Sequence, residues 1–205
     1  MTDKKLITRY KEYLKANLSK KRYNHSVNVA DAAVELAKLY GEDADKALVA
    51  GLLHDVAKEL PIEKQREYVL KSTLGVDEVE TKSHALFHAV AGAELAKLVF
   101  GIDDMDVILA IRYHTVAAGD MSRLAAIIYL ADLISADRDY KDVKRMRKLA
   151  VSGLERAMLE ALKFSITDSV SKGNTIPLST LAAYNRFLNE TLKKEKNDKL
   201  RKGAG

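Results

Sequence analysis

Apolar residues recur every three to four positions along almost the whole chain, and strict alternation of the strand type is scarce. The pattern predicts helices at about 4–17, 19–40, 43–58, 61–72, 85–100, 104–114, 121–135, 142–150, 152–172 and 178–193. Ser19 and Asp43 are placed to cap the second and third of these, and Gly41 to stop the second. Pro61 falls just inside the start of the fourth. Gly101 ends the fifth, and Gly173 ends the long helix before Pro177. The expected fold class is all-α, a bundle of many short helices without internal repeats or low-complexity segments.

A few polar side chains interrupt the apolar runs, and their types are not random. "AGLLHDVAKEL" (50–60) carries His54 and Asp55 side by side among Leu52, Leu53, Val56 and Ala57. "AAIIYLADLI" (125–134) carries Asp132 in the same manner. A carboxylate in such a place needs a cation or several hydrogen-bond donors to offset its lost hydration. Neighbours on a helix diverge by about 100°, so His54 and Asp55 both reach one small cavity. His25 shares a helix with the apolar Val29 and Leu36, His88 sits near the small residues Ala89, Ala91 and Gly92, and His114 closes "VILAIRYH". Taken singly, each histidine reads as a hydrogen-bonded core residue, and Asp132 as half of an ion pair with Arg138 or Arg112. Taken together, these imidazoles and carboxylates on separate helices read as a mixed nitrogen–oxygen metal site. The set exceeds one tetrahedral ion and suits two ions with a shared carboxylate and positions open to water and substrate. His84 lies in a polar helix start, "TKSHA", and is the expected bystander, or the substitute should His88 not serve.

Composition narrows the setting. The chain has 205 residues, 47% hydrophobic and 31% charged, which suits one soluble globular core. A single helical domain is expected over 1–191 and a basic tail over 192–205. Cysteine is absent, which removes disulfides, thiolate catalysis and thiolate zinc sites and fits a reducing compartment, so a cytoplasmic location is expected. No apolar run is long enough for a membrane span, and the N-terminus is too charged for a signal peptide. The net charge is +5, and six basic against two acidic residues in 192–205 supply +4 of it. The body is nearly neutral and offers no footprint for a nucleic acid, and the tail reads as a solvated, frayed end.

The order His25, His54-Asp55, Asp132 resembles the HD superfamily of metal-dependent phosphohydrolases, and the added His88 and His114 resemble its dinuclear branch. "RYNHSVNVADAAVELAKLYGEDADKALVAGLLHDVAKEL", "IRYHT", "IIYLADLISADRDY" and "IPLSTLAAYNRFL" are similar to the bacterial YqeK family, over about residues 4–188. The resemblance implies an HD-type helical bundle and a phosphoric anhydride hydrolase that cuts diadenosine tetraphosphate into two ADP. It implies two metal ions, iron first, with manganese, cobalt, nickel and zinc acceptable to the same donors. One ion would be held by His25, His54, Asp55 and Asp132, and the other by His88 and His114 with Asp55 bridging. A hydroxide between the ions would attack phosphorus, with Asp55 and Lys58 in catalytic roles. Lys58, Thr115 and Arg138 are the expected substrate contacts. Lys58, four residues after His54 on one helical face, is expected at a phosphate, against a plain reading as a last-turn lysine favoured by the helix dipole. Arg138 reads equally as a phosphate contact or a salt-bridge partner. The implied partner is a nucleotide substrate, without nucleic acid or membrane, and a homodimer is compatible with the chain.

One departure bears on substrate. After the last histidine the family reads Thr-Thr-Gly-Arg and soon Met-Ser, whereas this chain reads "TVAAGDMS". Thr115, Met121 and Ser122 match, and Ala117 and Ala118 replace the Gly-Arg pair. The lost arginine is a bidentate phosphate donor, which leaves Lys58, Arg112 or Arg138 to serve. Two other readings stay open: an HD-type nucleotidase or phosphodiesterase with another nucleotide substrate, and a non-catalytic nucleotide-binding helical module.

Overall fold

The computed structural model describes residues 4–203, with side chains described to 200. Among these residues there is no strand, and the helices are α1 (Lys4–Asn17), α2 (Lys20–Tyr40), α3 (Ala44–Leu53), α4 (Ile62–Lys71), α5 (Glu78–Lys82), α6 (Phe87–Leu98), α7 (Met105–Tyr113), α8 (Arg123–Ile134), α9 (Val143–Ser152), α10 (Leu154–Ser171) and α11 (Leu178–Gly203), with a 3-10 turn at His84–Leu86 before α6. The fold is all-α, as the apolar period predicts. Ser19 Oγ accepts the N–H of Arg22 at 3.3 Å, Asp43 accepts that of Asp45 at 2.8 Å, and Gly41 ends α2 at φ 72°. Pro61 takes the cap position itself, so α4 begins at Ile62.

The bundle is layered by how much of each helix is apolar. α8 is buried on nearly every side from Leu124 to Ala131 and forms the centre. α6 is likewise buried from Phe87 to Ala96. α2 and α3 pack on each other and on α8, α9 and α10 pack on each other and on α8, and α11 packs on α10. One apolar cluster reaches from Tyr10 on α1 to Phe187 on α11. Two glycines set the spacing near the histidines. A Cβ on Gly51 of α3 would lie 2.6 Å from the Ala30 Cα of α2, and one on Gly92 of α6 would lie 3.3 Å from the His54 carbonyl oxygen. The first approach requires glycine, and the second leaves a Cβ only tight room.

Three elements differ from the sequence-based expectation. The third helix stops at Leu53 and not near 58, and residues 54–59 run as successive turns, with the N–H of Val56 on Leu53 O and that of Lys58 on Asp55 O. The cause is His54, whose Nδ1 bonds Gly51 O at 2.7 Å, the carbonyl that the next α-helical N–H would have used. α5 was not expected, because it is short and polar; a capping box between Asp77 and Glu80 holds it. α11 continues beyond 193 through the basic segment expected to fray, since no glycine or proline interrupts 179–202.

Candidate metal centre

Five segments deliver the polar residues that the sequence leaves stranded. His25 comes from the second turn of α2, His54 and Asp55 from the turn just after α3, His88 from the start of α6, His114 from just past the end of α7, and Asp132 from the last turn of α8. Donor atoms of His25, His54 and Asp55 lie within 4.8 Å of one another, as do those of Asp55, His88 and His114, and those of His54, His114 and Asp132. Asp55 stands between two imidazole pairs. Its Oδ2 is 3.5 Å from His54 Nε2 and 3.9 Å from His25 Nε2. Its Oδ1 is 3.4 Å from His88 Nε2 and 3.6 Å from His114 Nε2. Asp132 Oδ1 lies 2.9 Å from His25 Nε2. His84 is exposed, tilted against the Phe87 ring, and outside the cluster.

The far nitrogen of three rings is tied down, which turns Nε2 toward the centre. His54 Nδ1 bonds Gly51 O, and His114 Nδ1 bonds Ile111 O at 2.7 Å, each carbonyl being one freed at a helix end. His25 Nδ1 bonds Asp137 Oδ2 at 2.8 Å. His54 Nε2 is buried without a hydrogen-bond partner, and the Nε2 atoms of His88 and His114 face each other at 3.2 Å. His54 Nε2 thus lacks a donor, and the Nε2 atoms of His88 and His114 crowd the same space. Cations between them supply what is missing, and imidazole with carboxylate, free of thiolate, is a donor set for divalent metals.

The electrostatics agree. Burial alone would raise the Asp55 carboxyl, but His54, His114 and His88 outweigh it and hold it well below the ordinary value. Burial acts the same way on Asp132, where the bond from His25 and the charges of His54 and Arg138 bring the carboxyl down. On His54 burial lowers the pKa, and Asp55 with Asp132 more than restores it, so positive charge is favoured at that Nε2. Burial first, and then the neighbouring His114, keep His88 well below its ordinary value and therefore neutral. Ionised carboxylates and a neutral imidazole are the forms that bind a metal.

The expected substrate contacts fall around the rim. Lys58 is not on a helical face with His54; it sits in the turn after α3, with Nζ 3.1 Å from His88 Nε2. Burial lowers its pKa. Thr115 Oγ1 lies 3.3 Å from His114 Nε2. Arg138 donates from Nε to Asp132 O at 2.8 Å and pairs through Nη2 with the Asp132 carboxylate, so the structure displays its salt-bridge role. Arg112 cannot serve as a phosphate donor: it is fully buried and paired with Glu80. Two participants escaped the sequence reading. Arg22 Nη1 reaches Asp55 Oδ2 at 2.5 Å, and its place three residues before His25 on one helical face was the available signal. Asp137, behind His25, lies past the end of α8, where no periodicity points to it.

The altered loop after His114 is held from outside. Thr180 of α11 donates to Val116 O at 2.7 Å, and Arg186 donates to Met121 O at 2.7 Å. Ala117, where the family pattern has glycine, is in the left-handed region at φ 58°. That conformation costs a non-glycine residue about 1–2 kcal/mol, and the α11 contacts over-determine it.

A helical bundle with His and Asp donors in this order defines an HD domain, and residues 22–137 match that family. Over 179 residues the chain is 36% identical to a protein of Halalkalibacterium halodurans named bis(5'-nucleosyl)-tetraphosphatase, symmetrical, covering 87% of this chain and 95% of that one. A protein of the same name from Bacillus subtilis is 33% identical over 172 residues, 84% of this chain and 92% of its own. The chain belongs to this family, the YqeK branch of the HD domain proteins. A crystal structure described as a predicted HD superfamily hydrolase involved in NAD metabolism, from Clostridium acetobutylicum, superposes with a TM-score of 0.85 at 40% identity, over 89% of this chain and 97% of that one.

Proposed function

We propose that this protein hydrolyses dinucleoside tetraphosphates symmetrically, diadenosine tetraphosphate giving two ADP. The observation that carries the reading is Asp55, whose two oxygens face separate imidazole pairs, in a chain similar over 87% of its length to a protein named for that activity. His25, His54, Asp55 and Asp132 would hold one ion, and His88 and His114, sharing Asp55, the other. Iron is proposed first, with manganese, cobalt, nickel and zinc compatible with the donors. When bound, such a pair supplies a water acidic enough to ionise near neutral pH and stabilises charge on phosphoryl oxygens.

The chain's own residues do the rest. The bond cut is the central anhydride: the water oxygen joins one inner phosphorus, and the bridging oxygen leaves on the other. Asp137 fixes the His25 ring, and the Gly51 and Ile111 carbonyls fix those of His54 and His114. Lys58 adds a positive charge beside His88, placed for a phosphoryl oxygen. Thr115 offers a hydroxyl at the other rim. The absence of cysteine and of any described helix able to cross a membrane is compatible with a cytoplasmic setting.

Product analysis tests the cleavage pattern: ADP alone is expected, and AMP with ATP would overturn the symmetrical assignment. His54→Ala and Asp55→Ala test the centre. Each should lose bound metal, read by elemental analysis, and activity by at least about a hundredfold, with helical circular dichroism retained. Retained activity in either ends the proposal. A second reading, an HD-type nucleotidase or phosphodiesterase, draws on the buried Ala118 that stands where a family arginine would. A panel of nucleotide substrates with each metal separates the two.

A further inference from the structure

We propose that a cavity of about 140 Å³ beside Thr115, walled by the 3-10 turn, the loop after His114 and the α10–α11 turn, seats the nucleobase of the substrate. This inference rests on the nucleotide reading above. Its apolar walls include Leu86, Val116 and Ile176, and its rim carries the hydroxyls of Ser83, Ser169 and Thr175. No charged side chain lines it. Sites for whole drug-sized ligands begin at roughly 300 Å³, so this one holds a single fragment. Apolar walls suit the faces of an uncharged heterocycle, and hydroxyls, each both donor and acceptor, suit its edges. A phosphate would find no cation there.

The cavity is preformed and adjacent to the candidate centre through Thr115. Thr180 Oγ1 donates to Val116 O, which fixes the start of α11 against the loop, and Pro177 stiffens the turn beneath. Thr115 belongs to the wall and also lies 3.3 Å from His114 Nε2. A base seated here leads its phosphate chain past Thr115 toward the His88–His114 pair. Neither the metal donors nor Lys58 line the cavity, so base binding and phosphate binding are separable by substitution.

Thr175→Trp and Ser169→Phe fill the cavity from its rim. Calorimetric titration of the manganese-loaded protein with ADP and with inorganic pyrophosphate reads the effect, with folding checked by circular dichroism. The wild type should bind ADP at least tenfold more tightly than pyrophosphate. The variants should lose at least tenfold in ADP affinity and hold pyrophosphate within twofold. Unchanged ADP affinity in both folded variants, or equal affinities for ADP and pyrophosphate in the wild type, overturns the assignment. Hydrolysis of diadenosine tetraphosphate by the wild type is followed in parallel. Its failure, with cavity-dependent ADP binding intact, would remove the hydrolase reading and leave the base site standing.

Discussion

Glu80→Gln should be among the most damaging single-atom exchanges in the chain outside the metal centre. Arg112 is wholly buried two residues before His114, and Glu80 is nearly so. Their side chains meet as a fork, Nη1–Oε1 at 2.6 Å and Nη2–Oε2 at 2.8 Å, and Nη2 also donates to Gly75 O at 2.7 Å. The pair ties α7, which ends in His114, to α5. The amide keeps the carboxylate's shape and removes its charge, leaving a buried guanidinium uncompensated. Breaking a buried pair costs about 3–5 kcal/mol. The amide oxygen still accepts one bond, which returns about 1 kcal/mol, so a loss of about 2–4 kcal/mol is expected. Typical domains have about 5–15 kcal/mol in total, so the loss is large but survivable. Urea unfolding followed by circular dichroism measures it. Arg112→Met combined with Glu80→Met removes both desolvation penalties and should recover most of the loss. A Glu80→Gln loss below about 0.5 kcal/mol, the range of ordinary surface changes, would refute the reasoning. So would a double variant no more stable than Glu80→Gln.

Gly51→Ala should destabilise by about 1–3 kcal/mol, because the new Cβ would meet the Ala30 backbone at 2.6 Å and neither chain can yield; an unchanged thermal midpoint would contradict the close crossing of α2 and α3. Thr180→Val leaves the Val116 carbonyl unsatisfied at a buried position, a loss of about 1–3 kcal/mol by denaturant titration, and Thr180→Ser should restore most of it. Asp104 is held below the ordinary carboxylate value, first by Lys46 at 2.7 Å, with burial opposing it, and then by the N–H groups of Asp106 and Val107. Its folded pKa is the lower one, so its contribution is present at neutral pH and fades as pH falls from the unfolded value of about 3.9 through the folded one. Asp104→Asn, which can still cap α7, should therefore cost at most about 1 kcal/mol at neutral pH, and the gap should close in acid; a gap that persists in acid would place the effect elsewhere.

Much of the candidate site was legible because stranded polarity is a local signal. Asp55 and Asp132 stand out against Leu, Ile and Ala whatever the fold, and the histidines stand out beside them. The order of these residues also suffices for the family. Arg22 and Asp137 were missed: arginine and aspartate on helix rims are ordinary, and beyond Arg22's place one turn before His25, only proximity to Asp55 and His25 distinguishes them. The length of the third helix was misread for a related reason. Apolar periodicity continues to residue 58, yet the His54 ring takes the Gly51 carbonyl and turns the chain. Arg112 illustrates the converse, a cation read as available to substrate that the fold spends on Glu80.

By itself, then, the order of residues determined the helical class, the capped boundaries of α2 and the start of α3, and the roster of metal-type donors, since periodicity, capping and unpaired charge are written over a few neighbouring positions. Tertiary structure alone decided how close those donors come to one another, which imidazole pair each Asp55 oxygen faces, and which cations face the centre. Those are distances of a few ångströms between residues as much as 112 positions apart, and only the crossing of α2, α3, α6, α7 and α8 at small residues brings them together.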